Sequence, residues 1–203
     1  MLKKLEALTS TLTNSRRQTY LDKKVPSGAF FILLLTSEYK LFYNVHGGCY
    51  MEIIKYPDPI LRTVSEGVKL PLSKEDSKLL DDMFNYVKEH QDEAVGLSAV
   101  QVGVPKRMCV IRFKGTNGTT AYKLVNPKII GHSSKMIFNS EGCLSVDEQH
   151  DENIGRWSAV KVWAYDAITK SNVCITANGY EAIILQHELD HMDGKLYIDY
   201  INK

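Results

Sequence analysis

Two histidines four residues apart, His187 and His191, bracket Glu188 in the stretch QHELDH of a 203-residue chain. On a helix this spacing turns both imidazoles to one face, where they can share a metal ion, while Glu188 projects about 100° round from His187. A carboxylate so placed can take a proton from water acidified by the ion and return it to a leaving group. Hydrolysis at a metal centre is the chemistry this pattern suggests. Two histidines are not a complete ligand set, and a third must be found.

No glutamate follows Glu188, so the zinc-peptidase pattern that takes its third ligand from a downstream glutamate does not fit. Gly194 matches the HExxHxxGxxH form, yet Tyr197 stands where the third histidine belongs. Asp193 adjoins the helix end at a poor angle, and Asp199 fits no ligand spacing. Upstream, Cys143 in EGCLS (Glu141 to Ser145) is the strongest candidate: flanking Gly142 lets the backbone come close, and a thiolate binds borderline or soft divalent ions well. His150, in a polar loop, and Cys174, in a strand pattern where a cysteine usually serves as a small buried hydrophobe, are weaker. Cys143, His187 and His191 would leave one coordination position open, as catalytic sites do, whereas four protein ligands close a structural site.

Elements must carry these residues. Tyr180 to Asp193 reads as one helix stopped by Gly194. Ser73, with Asp76 three residues on, resembles a capping box, and Leu79, Leu80, Met83, Phe84 and Val87 then recur at helical spacing to about His90, a core-facing helix with no chemistry assigned. RMCVIRF, YKLVNPKII, SAVKVWAYD and NVCITA are rich in β-branched and aromatic residues and are punctuated by Gly, Asn, Ser or Asp, which predicts a mainly antiparallel sheet set. Pro57 and Pro59 predict an extended, turning path without helix. The class is α+β, with helices on a sheet and no internal repeat.

The length suits one domain, and 25 Lys+Arg against 24 Asp+Glu give no field that would favour nucleic acid or an anionic membrane. Cys49, Cys109, Cys143 and Cys174 form no CxxC pair and read as reduced thiols. The apolar run Ala29 to Leu35 is far short of the roughly 20 residues that span a bilayer, and no signal-peptide cleavage site follows it. Residues 1–50 are basic, with Lys3, Lys4, Arg16, Arg17, Lys23, Lys24 and Lys40 outweighing Glu6, Asp22 and Glu38, and read as an extension ahead of Met51, either an upstream start or an organellar targeting segment.

Three blocks in this order, VGLSAVQVG (Val95 to Gly103), EGCLS and QHELDH, together resemble the peptide deformylase family, and YPDPILR resembles its start. The resemblance covers about Met51 to Ile201, and EGCLSVD is most similar to the branch of Gram-positive bacteria and mycoplasmas. It implies a catalytic domain at 51–203, with antiparallel sheets packed around a metal-bearing HExxH helix, that removes formyl from the N-terminal formylmethionine of new polypeptides. It implies one divalent ion on Cys143, His187 and His191, Fe2+ in the cell with Zn2+, Ni2+ or Co2+ also suited, and Glu188 as acid and base. The Gln101 side-chain amide and the Leu144 N–H would stabilise the oxyanion. Gly96 would line the substrate channel with its backbone, and Val95, Tyr180, Ile183 and Ile184 would border the pocket for the methionine side chain. The implied partners are N-formylmethionyl nascent peptides and, transiently, the ribosome, with no direct nucleic-acid or membrane partner. A cytoplasmic monomer is expected, or an organellar one if residues 1–50 are a targeting segment.

Ala94, Ser98 and Val100 depart from the family's block, which has Gly, Ala and Pro there. If position 94 needs a positive φ, alanine costs about 1 kcal/mol. The competing readings are an inactive homologue that binds peptide N-termini and another HExxH metallo-amidase or peptidase.

Overall fold

The computed structural model describes residues 31–35, 40–44, 49–115, 118–147 and 153–201. Strands β1 (Phe31–Leu35), β2 (Lys40–Asn44) and β3 (Cys49–Met51) form one sheet in that order. A 3-10 turn at Pro59–Arg62 and helix α1 (Lys74–Glu89) follow. The main sheet takes β4 (Gly96–Ser98), β5 (Met108–Gly115), β6 (Gly118–His132), β9 (Ala159–Asp166) and β10 (Ser171–Asn178) in the order β10-β9-β6-β5-β4. Strands β7 (Met136–Asn139) and β8 (Ile154–Trp157) pair separately, and helix α2 spans Tyr180–Met192. All these strand pairs are antiparallel, so the molecule is α+β.

Strand β5 shows how the layers are made. Side chains alternate across a strand, yet Met108, Cys109, Val110 and Ile111 are all buried. Met108 and Val110 join Leu79, Leu80, Met83 and Val87 of α1 in one core, while Cys109 and Ile111 join Ala182, Ile184, Leu185 and Met192 of α2 in the other. A helix therefore covers each face of the sheet, and the continuous apolar run MCVI is the sequence trace of that double burial.

Helix α1 begins as expected, with the Ser73 hydroxyl accepting from the Asp76 N–H at 3.0 Å, and His90 caps its end. The proline-rich segment departs from the extended path expected of it: Pro59 opens the 3-10 turn while Asp58 accepts from the Ile60 N–H at 3.0 Å. Proline is tolerated at a first helical position, where its missing donor has no partner to lose. YKLVNPKII is one strand despite its proline, because the register with β9 shifts between Val125 and Lys128 and Asn126 takes φ 52° there. A bulge is where a strand can hold a residue that cannot donate.

The apolar run near the N-terminus contributes β1, and no described helix is long and apolar enough to cross a membrane. Strand β3 runs through position 50 and pairs with β2, and buried Met51 packs in the α1 core. The basic residues Lys3 to Lys24, together with Glu6, Asp22 and Glu38, lie outside the described residues, as does His150.

Candidate metal centre

Helix α2 holds three of the residues in question. It ends where Gly194, at φ +70°, turns the chain left-handed, with the Lys195 N–H donating to Asp190 O at 2.9 Å and the Gly194 N–H to His191 O at 3.2 Å. A Cβ on Gly194 would also lie 2.5 Å from Arg62 O, so both conformation and space demand glycine. Gln186 fixes the helix against β8: it accepts from the Trp157 N–H and donates to Trp157 O, each at 3.0 Å.

His187 and His191 turn Nε2 atoms toward each other at 3.2 Å, and the Cys143 sulfur lies 3.3 Å from His191 Nε2. The three ligand atoms lie within 4.8 Å of one another. Donors sharing one tetrahedral ion at ordinary zinc distances would stand about 3.3 Å apart for two nitrogens, so the residues fit a single ion of that size. Asp193 and Asp199 are engaged elsewhere, by Arg107 at 2.7 Å and by Arg62. Cys174 is exposed on β10 rather than buried as its strand pattern suggested, and it is not among the convergent ligands. Gly142 makes no close approach: a Cβ there would have no neighbour within 4 Å.

Behind His187 stands a buried ionic chain that sequence reasoning missed. His187 Nδ1 donates to Glu141 Oε2 at 2.7 Å, leaving Nε2 free to bind an ion. Arg156, from β8, donates through Nε to Glu141 Oε1 at 2.7 Å and through Nη2 to Oε2 at 3.0 Å, and it also binds Asp190. Burial opposes ionisation of Glu141, but the bonds from His187 and Arg156 prevail and hold its carboxyl at about 2. Burial likewise opposes charge on His187, yet the Cys143 sulfur and Glu141 carboxylate push its pKa well above the ordinary histidine value. His191, buried and facing the charge of His187, is pushed well below. Its Nδ1 has no hydrogen-bond partner among the described residues. The only hint of Glu141 in the sequence was its place two residues before Cys143.

Glu188 is buried and borders the ligands from the side of β4. Its carboxylate lies flat on Gly96, where a Cβ would come within 2.3 Å of Oε1, so glycine is required there by a side chain 92 positions away. Ser98 Oγ lies 2.8 Å from Glu188 Oε2 and 2.9 Å from the Glu188 carbonyl oxygen. Burial raises the Glu188 pKa, against the opposing pull of His187 and Ser98.

Gln101 sits on the 3-10 turn after β4, with its orientation set by its own neighbours. Its Oε1 accepts from the Ser98 N–H at 2.9 Å, so Nε2 points to Ser145 Oγ at 3.1 Å and to the Cys143 sulfur at 3.6 Å. The segment after Met51 ties this turn to the cysteine loop: the Ile54 N–H donates to Gln101 O at 2.8 Å, the Tyr56 N–H to Ser145 O at 2.7 Å, and Lys55 Nζ to Leu144 O at 2.8 Å. That is the local reason for the IIKYP stretch.

A cleft of about 110 Å³ opens onto the centre, and every residue expected from the resemblance to border substrate lines it: Val95, Gly96, Tyr180, Ile183 and Ile184, with Gln101 and Leu144. Ala94 lines it too and carries no left-handed strain, since the non-glycine residues described with positive φ are Asn126 and Lys170. The cost anticipated for alanine at that position is absent.

Residues 50–203 match the polypeptide deformylase family. The chain is 37% identical over 165 residues to peptide deformylase 2 of Bacillus anthracis, covering 75% of this chain and 89% of that one. It is 39% identical over 168 residues to the peptide deformylase of Macrococcus caseolyticus, covering 75% and 90%. Both relatives fit the Gram-positive branch. The crystal structure of peptide deformylase from Ehrlichia chaffeensis superposes with TM-score 0.68 at 33% identity, covering 75% of this chain and 88% of that one. The chain belongs to the polypeptide deformylase family, metal-dependent hydrolases that remove the formyl group from N-terminal methionine.

Proposed function

We propose that deformylation of N-formylmethionyl nascent peptides takes place at the cleft where Cys143, His187 and His191 converge beside Glu188, and that this convergence is the observation carrying the assignment. The three residues hold one divalent ion per chain. A thiolate with two imidazoles suits Fe2+, Zn2+, Ni2+ or Co2+, with Fe2+ the ion expected in the cell. When bound there, the ion supplies Lewis acidity and makes water a nucleophile near neutral pH.

The protein's own groups do the rest. Glu188, kept from bulk solvent and raised in pKa, takes a proton from the attacking water and returns it to the departing amine of methionine. Gln101 presents an amide N–H already aimed by Ser98, and the Leu144 N–H completes a pair of donors to the developing oxyanion. Glu141 fixes the His187 ring, and Arg156 fixes Glu141. Val95, Ile183, Ile184 and Tyr180 give the methionine side chain an apolar wall, while the Gly96 backbone borders the substrate chain.

Residues 51–203 form the catalytic domain, and residues 1–50 are an extension. The protein acts as a cytoplasmic monomer, in transient contact with the ribosome where its substrates emerge. Nothing in the cleft favours cleavage of unformylated peptides. The test is formate release from a formyl-Met peptide by metal-loaded protein, with the unformylated peptide as comparison. Formate from the first and no cleavage of the second is expected, whereas cleavage of both would make the protein a peptidase.

A further inference from the structure

We propose that Ser98 is a positioning residue for Glu188, pinning Oε2 so that Oε1 is the oxygen that exchanges the proton; this rests on the assignment of Glu188 above. The two are 90 positions apart, and both are buried. Ser98 lies at the end of β4, against the α2 helix, and its hydroxyl is 2.8 Å from Glu188 Oε2 and 2.9 Å from the Glu188 carbonyl oxygen. A hydroxyl has one proton to donate and can also accept. Oε2, at 2.8 Å, is the shorter of its two contacts. Both acceptors belong to Glu188, so the hydroxyl ties the carboxylate to its own helix backbone.

The other oxygen is placed by exclusion. Oε1 lies over Gly96, where even a methyl group would come within 2.3 Å of it, and Gly96 and Glu188 both border the cleft that opens to Cys143 and His187. Oε2 is thus held by Ser98, whereas Oε1 lies against Gly96, a residue of the cleft lining. Ser98 has a second function in the same corner, since its N–H donates to Gln101 Oε1 at 2.9 Å, but that bond is from the backbone and survives loss of the hydroxyl. A side-chain substitution therefore separates the two.

The experiment compares wild type, Ser98→Ala and Ser98→Thr as metal-loaded full-length proteins, measuring kcat and KM for formate release, metal content and the thermal unfolding midpoint. A bond to a charged carboxylate predicts that Ser98→Ala lowers kcat roughly ten- to a hundredfold. KM and metal content should stay within about twofold, and Ser98→Thr should recover most of kcat because it restores the hydroxyl. A Ser98→Ala kcat equal to wild type overturns the proposal. So does a loss expressed in KM or accompanied by loss of metal, which marks a packing role. If the added methyl of threonine lowers the unfolding midpoint, the alanine variant decides alone. Absence of formate release by wild type refutes the deformylase reading itself, an outcome distinct from any ratio between variants.

Discussion

The two helices lie on opposite faces of one sheet and handle polar residues in opposite ways. Helix α1 is amphipathic: Leu79, Leu80, Met83, Tyr86 and Val87 face the core, and its two buried acids are met at the surface, Asp76 by Lys106 at 2.8 Å and Asp82 by Lys78. Helix α2 is buried nearly all round, and Gln186, Glu188 and His191 are buried with it. Burying a polar group without a partner is costly, so each such residue on α2 must find one inside the protein. Gln186 finds Trp157 and Glu188 finds Ser98, whereas His187 and His191 meet each other and Cys143. A helix with polar residues and no solvent face has its chemistry on the inside; one with a solvent face can carry charge without function.

Substitutions can break this contrast at several depths. Removing a ligand should have the largest effect: Cys143→Ala or His191→Ala is expected to abolish metal binding and lower formate release at least about a thousandfold, the order set by several kcal/mol of lost Lewis-acid stabilisation. Metal analysis on the purified variants checks it, and full metal content with full activity would remove Cys143 from the site. Next is Gly96→Ala, which puts a methyl group into the Glu188 carboxylate. Because a misplacement of about 1 Å can cost about a hundredfold, kcat should fall by ten- to a hundredfold with metal content unchanged.

Glu141→Gln acts one layer out, and metal affinity should fall about ten- to a hundredfold in competition with a chelator. It also has a pH signature. The folded-state carboxyl sits at about 2 against an ordinary 4.5, so its contribution to stability is complete above about 4.5 and is lost as pH falls toward 2. Unfolding midpoints of wild type and Glu141→Gln, separated near neutral pH, should converge across that window; a constant difference would mean the carboxylate is not held by His187 and Arg156. The smallest effect belongs to α1. Ser73→Ala should cost about 1 kcal/mol in denaturant unfolding and leave kcat unchanged, and a change in kcat would show that α1 is coupled to the chemistry.

Much of this contrast was legible in the sequence. Both helices, and strands β5, β6, β9 and β10, follow from periodicity, capping residues and β-branched runs, because local pattern and burial agree there. Strands β4, β7 and β8 did not emerge, since three or four residues are too few to set a period and their pairing is supplied by distant partners. The same limit applied to the site. His187, Glu188 and His191 advertise themselves by spacing along one helix. Glu141, Arg156 and Ser98 act across 46, 15 and 90 positions, and nothing in their local sequence shows whom they meet. At Ala94 the cost was conditional on a positive φ, a backbone property that the sequence does not display and that the structure does not have there.

The most direct test of the central claim is Glu188→Gln, prepared beside wild type, with formate release from a formyl-Met peptide and metal content measured on the same samples. The substitution keeps the shape over Gly96 and removes the ability to hold a proton. A full metal site with kcat down by about 10²- to 10⁴-fold is the predicted result. A full site with kcat within a fewfold of wild type would contradict the account and leave the proton to another group.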